Sequence, residues 1–285
     1  MKPRSKVYLL AMLPFLLLVL FYEIMPILMI ALRSFQATGH SGFTLEQYQD
    51  VFTKRLYRQA LINSIVISVI SSLIGLTIAF FGAKAAHSTG SKGRAIFINI
   101  LNMTSNFAGI PLAFAFIILL GNTGILVLLG KSIGLEALAS FNIYSFQGLL
   151  LTYIYFQIPL ATLLLIPVFD GLRKEWAQAV VLLGGNSFVY WTRVAIPVIR
   201  PSLIATLSVL FSNAIAAYAT AYALLANNYS LLPIRISEQF VGEVVQRKEF
   251  GSALAMVLML TMVLATVINN YFIKKSRGGA ANEKE

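Results

Sequence analysis

Six long apolar segments constrain the fold of this chain more than any other feature. A helix that crosses the hydrocarbon core of a bilayer needs about 20 mostly apolar residues. Six segments meet this length: Val7–Leu32, Leu61–Ala86, Ile96–Leu120, Ser145–Phe169, Leu203–Ala226 and Ser252–Ile273. Only 12% of the residues are charged, whereas soluble domains carry about 25%. The sequence therefore predicts an all-α membrane protein with six transmembrane helices.

A seventh apolar stretch, Ile125–Leu138, is shorter and is interrupted by Gly130, Lys131 and Gly134. Its length predicts an interfacial or re-entrant helix rather than a further span. The first apolar segment follows a basic N-terminus, as a signal peptide would. It is too long for one and no small-x-small cleavage site follows it, so we expect a retained anchor helix.

The basic residues predict which ends of the spans face the cytoplasm. Of the 22 Lys and Arg residues, fourteen fall on one side when loops are assigned alternately: Lys2, Arg4, Lys6, Lys84, Lys92, Arg94, Arg173, Lys174, Arg193, Arg200, Lys274, Lys275, Arg277 and Lys284. The other eight fall on the opposite side: Arg33, Lys54, Arg55, Arg58, Lys131, Arg235, Arg247 and Lys248. Cytoplasmic loops carry an excess of Lys and Arg. Both termini are therefore predicted to be cytoplasmic. Because the basic residues lie between apolar runs, the net charge of +11 indicates a membrane orientation and not a nucleic-acid partner.

The chain lacks the residue patterns of common catalytic sites. It has no cysteine and only two histidines, His40 and His87, which the assignment places on opposite sides of the membrane. No HExxH motif and no pair of acids within one span occurs, so no metal site or acid–base pair is predicted. The stretch Gly124–Ser132, GILVLLGKS, resembles a phosphate-binding loop but has five residues between its glycines instead of four. We therefore predict that the chain is not an enzyme and holds no ATP, cofactor or metal itself.

Glu23 is the one acidic residue well inside a predicted span. Ionisable residues within membranes are usually functional. Three interpretations stay open for Glu23: contact with a cationic substrate, pairing with a basic residue of a partner, or a structural position that reaches the outer interface.

Several polar residues of the later spans could line a polar pathway: Tyr153, Gln157, Asn213, Tyr218 and Tyr222, with Asn102 and Asn106 in the third span. Tyr218 and Tyr222 are four residues apart and share a helix face. The alternative is that these side chains make hydrogen bonds between helices, which contribute about 0.6 kcal/mol each on average.

The fourth loop carries the most specific pattern, EWAQAVVLLGGNSFVYWTRVAIPVIRP, from Glu175 to Pro201. We expect a first helix over Leu172–Leu183 that begins at Asp170 or Gly171 and is broken by Gly184 and Gly185. Asn186 or Ser187 can cap a second, aromatic helix, which should stop near Pro197. Such a surface helix pair fits either an interfacial amphipathic loop or a docking element for another protein.

The spacing of this loop resembles the signature of the membrane subunits of binding-protein-dependent ABC importers. That signature reads Glu-Ala-Ala, three residues, Gly, nine residues, Ile-x-Leu-Pro. Gly184 takes the place of the glycine, and Val194, Ile196 and Pro197 take the places of Ile, Leu and Pro. Gln178, Ala179 and Val180 stand where Glu-Ala-Ala is expected, and Glu175 lies one turn earlier, where it could supply the missing acid. The residues 61–273 are similar to such permeases, nearest to the polyamine, iron(III), phosphonate and thiamine branches.

The resemblance implies a type I importer permease fold and a division of the chain into three parts. Residues 1–60 would form an anchor helix and first periplasmic loop, 61–273 the permease core with a coupling loop at about 170–201, and 274–285 a basic tail. In this family the coupling loop sits in a cleft of a separate ATP-binding subunit. The loop residues expected to take part are Glu175, Gln178, Ala179, Gly184, Val194 and Pro197.

The resemblance also implies partners and a location. They are a pair of ATP-binding subunits that hold ATP and Mg, a second permease subunit of a different sequence, an external solute-binding protein and the lipid of a bacterial inner membrane. The external loops, residues 33–60 and 227–251, would meet the binding protein through charges that include Arg235, Glu238, Glu243, Arg247, Lys248 and Glu249. Two alternatives remain, an ion-coupled secondary transporter and a non-transporting scaffold or insertase.

Overall fold

The protein folds as a bundle of α-helices. The computed structural model describes residues 4–38, 42–225, 229–241 and 246–282. Five residues that enter the sequence predictions lie outside these ranges: Lys2, His40, Ala226, Glu243 and Lys284. The α-helices are α1 (Arg4–Val19), α2 (Met25–Ser34), α3 (Glu46–Thr53), α4 (Arg55–Ser88), α5 (Ser91–Ser105), α6 (Ile110–Leu120), α7 (Ile125–Ile133), α8 (Glu136–Ala139), α9 (Phe146–Asp170), α10 (Lys174–Leu182), α11 (Ser187–Tyr190), α12 (Ile196–Ile215), α13 (Ala219–Leu225), α14 (Leu232–Val241) and α15 (Lys248–Asn282).

The predicted number of spans is confirmed for the part of the chain that the structure describes. Six helical segments there are long and apolar enough to cross a membrane: Met12–Ser34, Arg55–Ser88, Ile110–Ile133, Phe146–Asp170, Ser187–Ile215 and Lys248–Lys274. The same ranges contain no β-sheet and only an isolated bridge between Gln36 and Phe43. The all-α membrane fold predicted from hydropathy is therefore correct, although individual boundaries differ.

The third predicted span, Ile96–Leu120, is not one helix. Residues 96–105 of this segment belong to α5, and residues 110–120 belong to α6. Gly109, between the two helices, has φ 71° and ψ −142°. An L-residue with a side chain rarely adopts such a conformation. By length and hydropathy the candidate span instead joins α6 to α7, which lies within the stretch predicted to be interfacial. The stretch 102–106 before the break is polar, but the apolar residues on both sides of it led to the prediction of one span.

The fifth predicted span, Leu203–Ala226, is also interrupted. α12 ends at Ile215 and α13 begins at Ala219. The hydroxyl of Thr220 donates to the carbonyl oxygen of Gly109 over 3.3 Å, so the breaks in the third and fifth spans lie beside each other. Irregular backbone is tolerated at membrane depth where it is enclosed by protein or lines an aqueous cavity.

Replacing Gly109 by Ala should lower the stability of the protein by about 1–3 kcal/mol, the usual cost of a strained backbone conformation. The added Cβ would meet only the Cβ of Ala219, at an ordinary 3.8 Å, so backbone strain and not crowding is the cause. Thermal unfolding in detergent measures the effect. Gly90→Ala is the control, because Gly90 has φ −61° and open space around it. Equal melting of the two variants would contradict the prediction.

Two π-helical turns, Leu20–Ile24 and Trp191–Ala195, each lie just before a proline, Pro26 or Pro197. The residue between the turn and the proline donates its N–H to the carbonyl oxygen five residues earlier. The widened turn allows the helix to continue through a residue that has no N–H to donate. The prediction that the second loop helix stops near Pro197 is therefore wrong, because the chain runs on into α12.

The helices α4 and α9 pack closely because α4 presents small side chains to its partner. A Cβ added to Gly75 would lie 2.8 Å from the Cβ of Gln157. Small residues allow helix backbones to approach in membranes, where packing replaces the hydrophobic effect as the driving force. The buried small residues of α4 are Ala60, Ser64, Ser68, Ser71, Ser72, Gly75, Ala79, Ala83 and Ala86.

The buried side chains form two main clusters at opposite ends of the bundle. The first cluster lies at the end that carries α10 and includes Leu101 of α5, Phe169 of α9 and Ile199 of α12. The second lies at the end that carries α14 and includes Leu112 of α6 and Ile234 of α14. The two halves of the broken third span therefore belong to different clusters.

Candidate functional site

The loop that carries the Gly-to-Pro spacing folds into an elbow, residues 174–195. Its first arm is α10, which begins after Arg173. The predicted start at Asp170 or Gly171 is wrong, because Asp170 is the last residue of α9. α9 extends this far since Phe169 is fully buried in the cluster at this end of the bundle.

The bend of the elbow is the predicted Gly-Gly break. Gly184 has φ 78°, in the left-handed region, and the N–H of Gly185 donates to the carbonyl oxygen of Val180 over 2.8 Å. A Cβ on Gly185 would lie 2.6 Å from Cγ1 of Val180, so both glycines are required for different reasons. The side chain of Asn186 accepts from the N–H of Val189 over 3.0 Å, which confirms the predicted cap of the second arm.

The tip of the elbow exposes large apolar side chains. Leu182 and Leu183 are each 87% exposed, and Val181 and Phe188 beside them are also mostly exposed. Contiguous apolar surface of this kind marks an interaction site. The exposed tip is therefore a candidate contact surface for another molecule.

The predicted coupling residues lie on different faces of the elbow. Glu175, Gln178 and Ala179 are exposed on α10. Val194 is half-buried in the π-helical turn, and Pro197 is exposed in the first turn of α12.

The base of the elbow is held to two spans by Trp191. Its ring lies 6.0 Å from that of Phe80 in α4 and 6.1 Å from that of Phe169 in α9, measured between ring centroids. The ammonium of Lys84 lies 4.4 Å from the centroid of the Trp191 ring, within the range of a cation–π interaction. These contacts attach the base of the elbow to α4 and α9.

Sequence reasoning included Trp191 among the apolar residues of the second helix but assigned it no anchoring role. One signal was present: Phe80 and Lys84 are four residues apart and so share a face of α4. A helix face that carries an aromatic ring and a cation can bind the ring of a tryptophan from another helix. The sequence did not show that Trp191 would pack against this face of α4.

Tyr153 and Gln157, predicted for a substrate pathway, are buried between helices. The hydroxyl of Tyr153 donates to the carbonyl oxygen of Ala217, 2.8 Å away, at the break in the fifth span. The Gln157 amide donates to Ser72 Oγ over 3.1 Å and to the carbonyl oxygen of Leu210 over 2.9 Å. These are the interhelical hydrogen bonds that the sequence left open as the alternative.

The other predicted pathway residues lie nearer the surface. The rings of Tyr218 and Tyr222 stack with centroids 5.3 Å apart, as their spacing predicts, and Tyr222 is 46% exposed. Asn213 is also exposed, as are Asn102 and Asn106 at the break in the third span. The exposed polar side chains therefore lie around the two adjacent helix breaks.

Glu23 lies in the first π-helical turn with its side chain exposed. None of the ion pairs between described residues includes it. π-Helical turns are frequent at functional sites, so the position agrees with a contact outside this chain.

The end that carries α14 has a polar surface. Arg235 pairs with both carboxylate oxygens of Glu238, at 2.8 and 2.9 Å. Nη2 of Arg247 lies 3.5 Å from Oδ2 of Asp50. These four charges are paired within the chain and remain partly accessible, as suits a surface for transient contact.

Known proteins of similar sequence are membrane permeases. No protein-family model matches the chain. The sulfate transport system permease protein CysW of Synechocystis sp. is 25% identical over 258 residues, covering 88% of this chain and 90% of the relative. The spermidine/putrescine transport system permease protein PotB of Haemophilus influenzae is 24% identical over 258 residues, covering 89% and 88%. The thiamine transport system permease protein ThiP of Escherichia coli is 28% identical over 155 residues, which are 54% of this chain and 28% of that protein.

Solved structures of ABC transporters share the fold. A bacterial ABC transporter involved in the import of the acidic polysaccharide alginate superimposes with a TM-score of 0.76 at 15% identity, covering 95% of this chain and 96% of that chain. The MetNI methionine ABC transporter gives a TM-score of 0.60 at 13% identity, covering 78% and 95%. Together with the six candidate spans, these comparisons show that the chain has the fold of ABC transporter membrane subunits and is similar in sequence, over most of its length, to transport system permease proteins.

Proposed function

We propose that the elbow is the coupling element of this permease and seats in a separate ATP-binding subunit. The observation that carries the proposal is the combination of an exposed apolar tip, Val181–Leu183 with Phe188, and a base fixed to α4 and α9 by Trp191. An element that is free at its tip and rigid at its base can pass a displacement into the spans instead of absorbing it. Glu175, Gln178 and Ala179 would line the contact beside the tip.

The remaining partners follow from this assignment. A pair of ATP-binding subunits would hold ATP and Mg, and a second permease subunit of different sequence would complete the pathway. Both termini and the elbow would be cytoplasmic, in the inner membrane of a bacterium. The end with α14 would meet an external solute-binding protein. The alginate transporter has been solved in complex with a pentasaccharide-bound periplasmic protein, which supports a partner of this kind.

The substrate pathway would run along the face with the two helix breaks. This face combines irregular backbone with four exposed polar side chains, Asn102, Asn106, Asn213 and Tyr222. Lipid tails offer hydrogen bonds neither to the free backbone groups nor to these side chains. A second permease subunit would cover the face and enclose an aqueous path. Tyr153 and Gln157 would then support the pathway from behind by holding α12 at its break.

Glu23→Gln should reduce uptake of a cationic solute while leaving the assembly with ATP-binding subunits intact. The reason is that a carboxylate in the membrane attracts a cation, which the amide of the same shape does not. Uptake into proteoliposomes that contain the whole transporter measures the effect, and co-purification of the ATP-binding subunit is the control. Unchanged uptake kinetics would reject contact between Glu23 and the solute.

Purification of the tagged chain from its own cells tests the proposed function directly. An ATP-binding subunit should co-purify, and uptake should depend on ATP. Leu182→Asp should remove that subunit, because it places a charge at the centre of an apolar contact. Uptake that follows an ion gradient, with no ATP-binding subunit attached, would instead favour the ion-coupled alternative.

A further inference from the structure

One carboxylate joins three helices just ahead of the elbow. Asp170 is the last residue of α9, a few residues before α10 begins. Its Oδ2 accepts from Nη2 of Arg94 in the first turn of α5. Its Oδ1 lies 3.2 Å from Nδ1 of His87 in the last turn of α4. The ends of α4, α5 and α9 therefore meet at a single side chain.

The start of α5 needs this carboxylate. The N-cap residue, Gly90, offers no side-chain cap, and the first turn carries Lys92 and Arg94 but no acid. Positive charges at a helix N-terminus are unfavourable because the helix dipole is positive there. Asp170 supplies from α9 the negative charge that α5 lacks.

The contribution of this cluster to stability is small, because its side chains are about one third exposed and such ion pairs are weakened by solvent. Its position is more informative. At its other end α5 stops at the break next to Gly109, and along its length it packs against α9 through Leu101 and Phe97. α5 is thus a short helix with a glycine break at one end and, at the other, a charged attachment to the end of α9, just before the elbow begins.

We propose that Asp170 is a positioning residue that makes α5 follow the elbow during the ATP-driven cycle. This inference rests on the proposed coupling function. When the elbow is displaced, the carboxylate draws the N-terminal end of α5 with it. α5 then swings relative to α6 about Gly109. Since Asn102 and Asn106 lie at the end of α5 beside the break, this movement changes the polar face assigned to the solute path.

Electron–electron distance measurements between two spin labels test the inference without a known solute. The native chain has no cysteine, so Ile96→Cys on α5 and Ile118→Cys on α6 can be labelled selectively. Both positions are more than 60% exposed and they flank the break. The assembled transporter with its ATP-binding subunits is measured without nucleotide and after trapping with ATP and vanadate.

The native chain should show a shift in the label distance on trapping, and Asp170→Asn should reduce that shift by more than half. Arg94→Gln should do the same, which guards against a folding defect particular to Asp170. The exchanged pair Arg94→Asp with Asp170→Arg should restore it. Glu136→Gln is the control, because it removes an exposed carboxylate of α8 that belongs to none of the ion pairs between described residues and lies outside the surfaces assigned to partners.

A full shift in both Asp170→Asn and Arg94→Gln would overturn the inference, and so would the absence of any shift in the native chain. Failure of the proposed function gives a different result, since no ATP-binding subunit would then be present on the native chain.

Discussion

Gly184→Asp should abolish ATP-driven uptake while leaving membrane insertion intact. Gly184 has φ 78°, which side chains rarely allow, and it stands beside Leu182 and Leu183 at the exposed tip. No atom lies within 4 Å of an added Cβ, so the chain itself has room for the new side chain. The damage comes from the carboxylate, which would be buried without a partner in the proposed interface. ATP-dependent uptake and co-purification of the ATP-binding subunit, at equal amounts of inserted protein, measure the effect.

Gly134→Asp is the matched control for this variant. Gly134 also has a left-handed conformation, φ 73°, with open space around it, but it follows α7. Any cost of the backbone conformation should therefore be similar in the two variants, whereas only Gly184→Asp should release the ATP-binding subunit. Normal uptake by Gly184→Asp, or equal loss of the subunit in both variants, would count against the coupling role.

Trp191→Ala should separate ATP hydrolysis from transport. The variant keeps the apolar tip, so the ATP-binding subunit should still bind and hydrolyse ATP. Besides a contact with its neighbour Tyr190, it loses two aromatic contacts with the spans, worth about 0.5–1.5 kcal/mol each, and a cation–π contact with Lys84 worth about 0.5–1 kcal/mol. Because 1.4 kcal/mol corresponds to about a tenfold change in an equilibrium, uptake per ATP hydrolysed should fall by about tenfold or more. Uptake and hydrolysis are measured together in proteoliposomes.

Two further variants make the Trp191 result specific. Trp191→Phe keeps a ring against Phe80 and Phe169 and should retain most of the coupling. Phe272→Ala removes a ring that faces Tyr271 on α15, at 6.0 Å and 70°, far along the chain from the elbow, and should leave the ratio of uptake to hydrolysis unchanged. Tight coupling in Trp191→Ala would show that the elbow transmits its displacement without this contact.

The features that sequence alone predicted are those encoded in consecutive residues. A run of about 20 apolar residues is long enough to cross a bilayer whatever its surroundings. The number of spans could therefore be predicted from hydropathy, and the structure confirms six in the described residues. The Gly184–Gly185 pair predicted the bend, and Asn186 or Ser187 was the predicted cap, because turn and cap chemistry depends on a few neighbouring side chains.

Local pattern could not predict features that depend on residues distant in sequence. The breaks at Gly109 and near Ala217 lie within segments that hydropathy predicts as single spans, and that they lie beside each other became visible only in the folded chain. The burial of Tyr153 and Gln157 depends on α12 and on the break that follows it, which supply the carbonyl oxygens of Leu210 and Ala217 that they bind.

Sequence by itself determined that this chain crosses a membrane six times and carries an elbow of permease type, since hydropathy and glycine geometry act over short distances. Tertiary structure alone decided what holds the elbow and where the spans break. Trp191 acts through Phe80 and Phe169, and Asp170 through Arg94 and His87. Such contacts form only when helices far apart in the chain are packed together, and hydropathy carries no information about which side chains will then face each other.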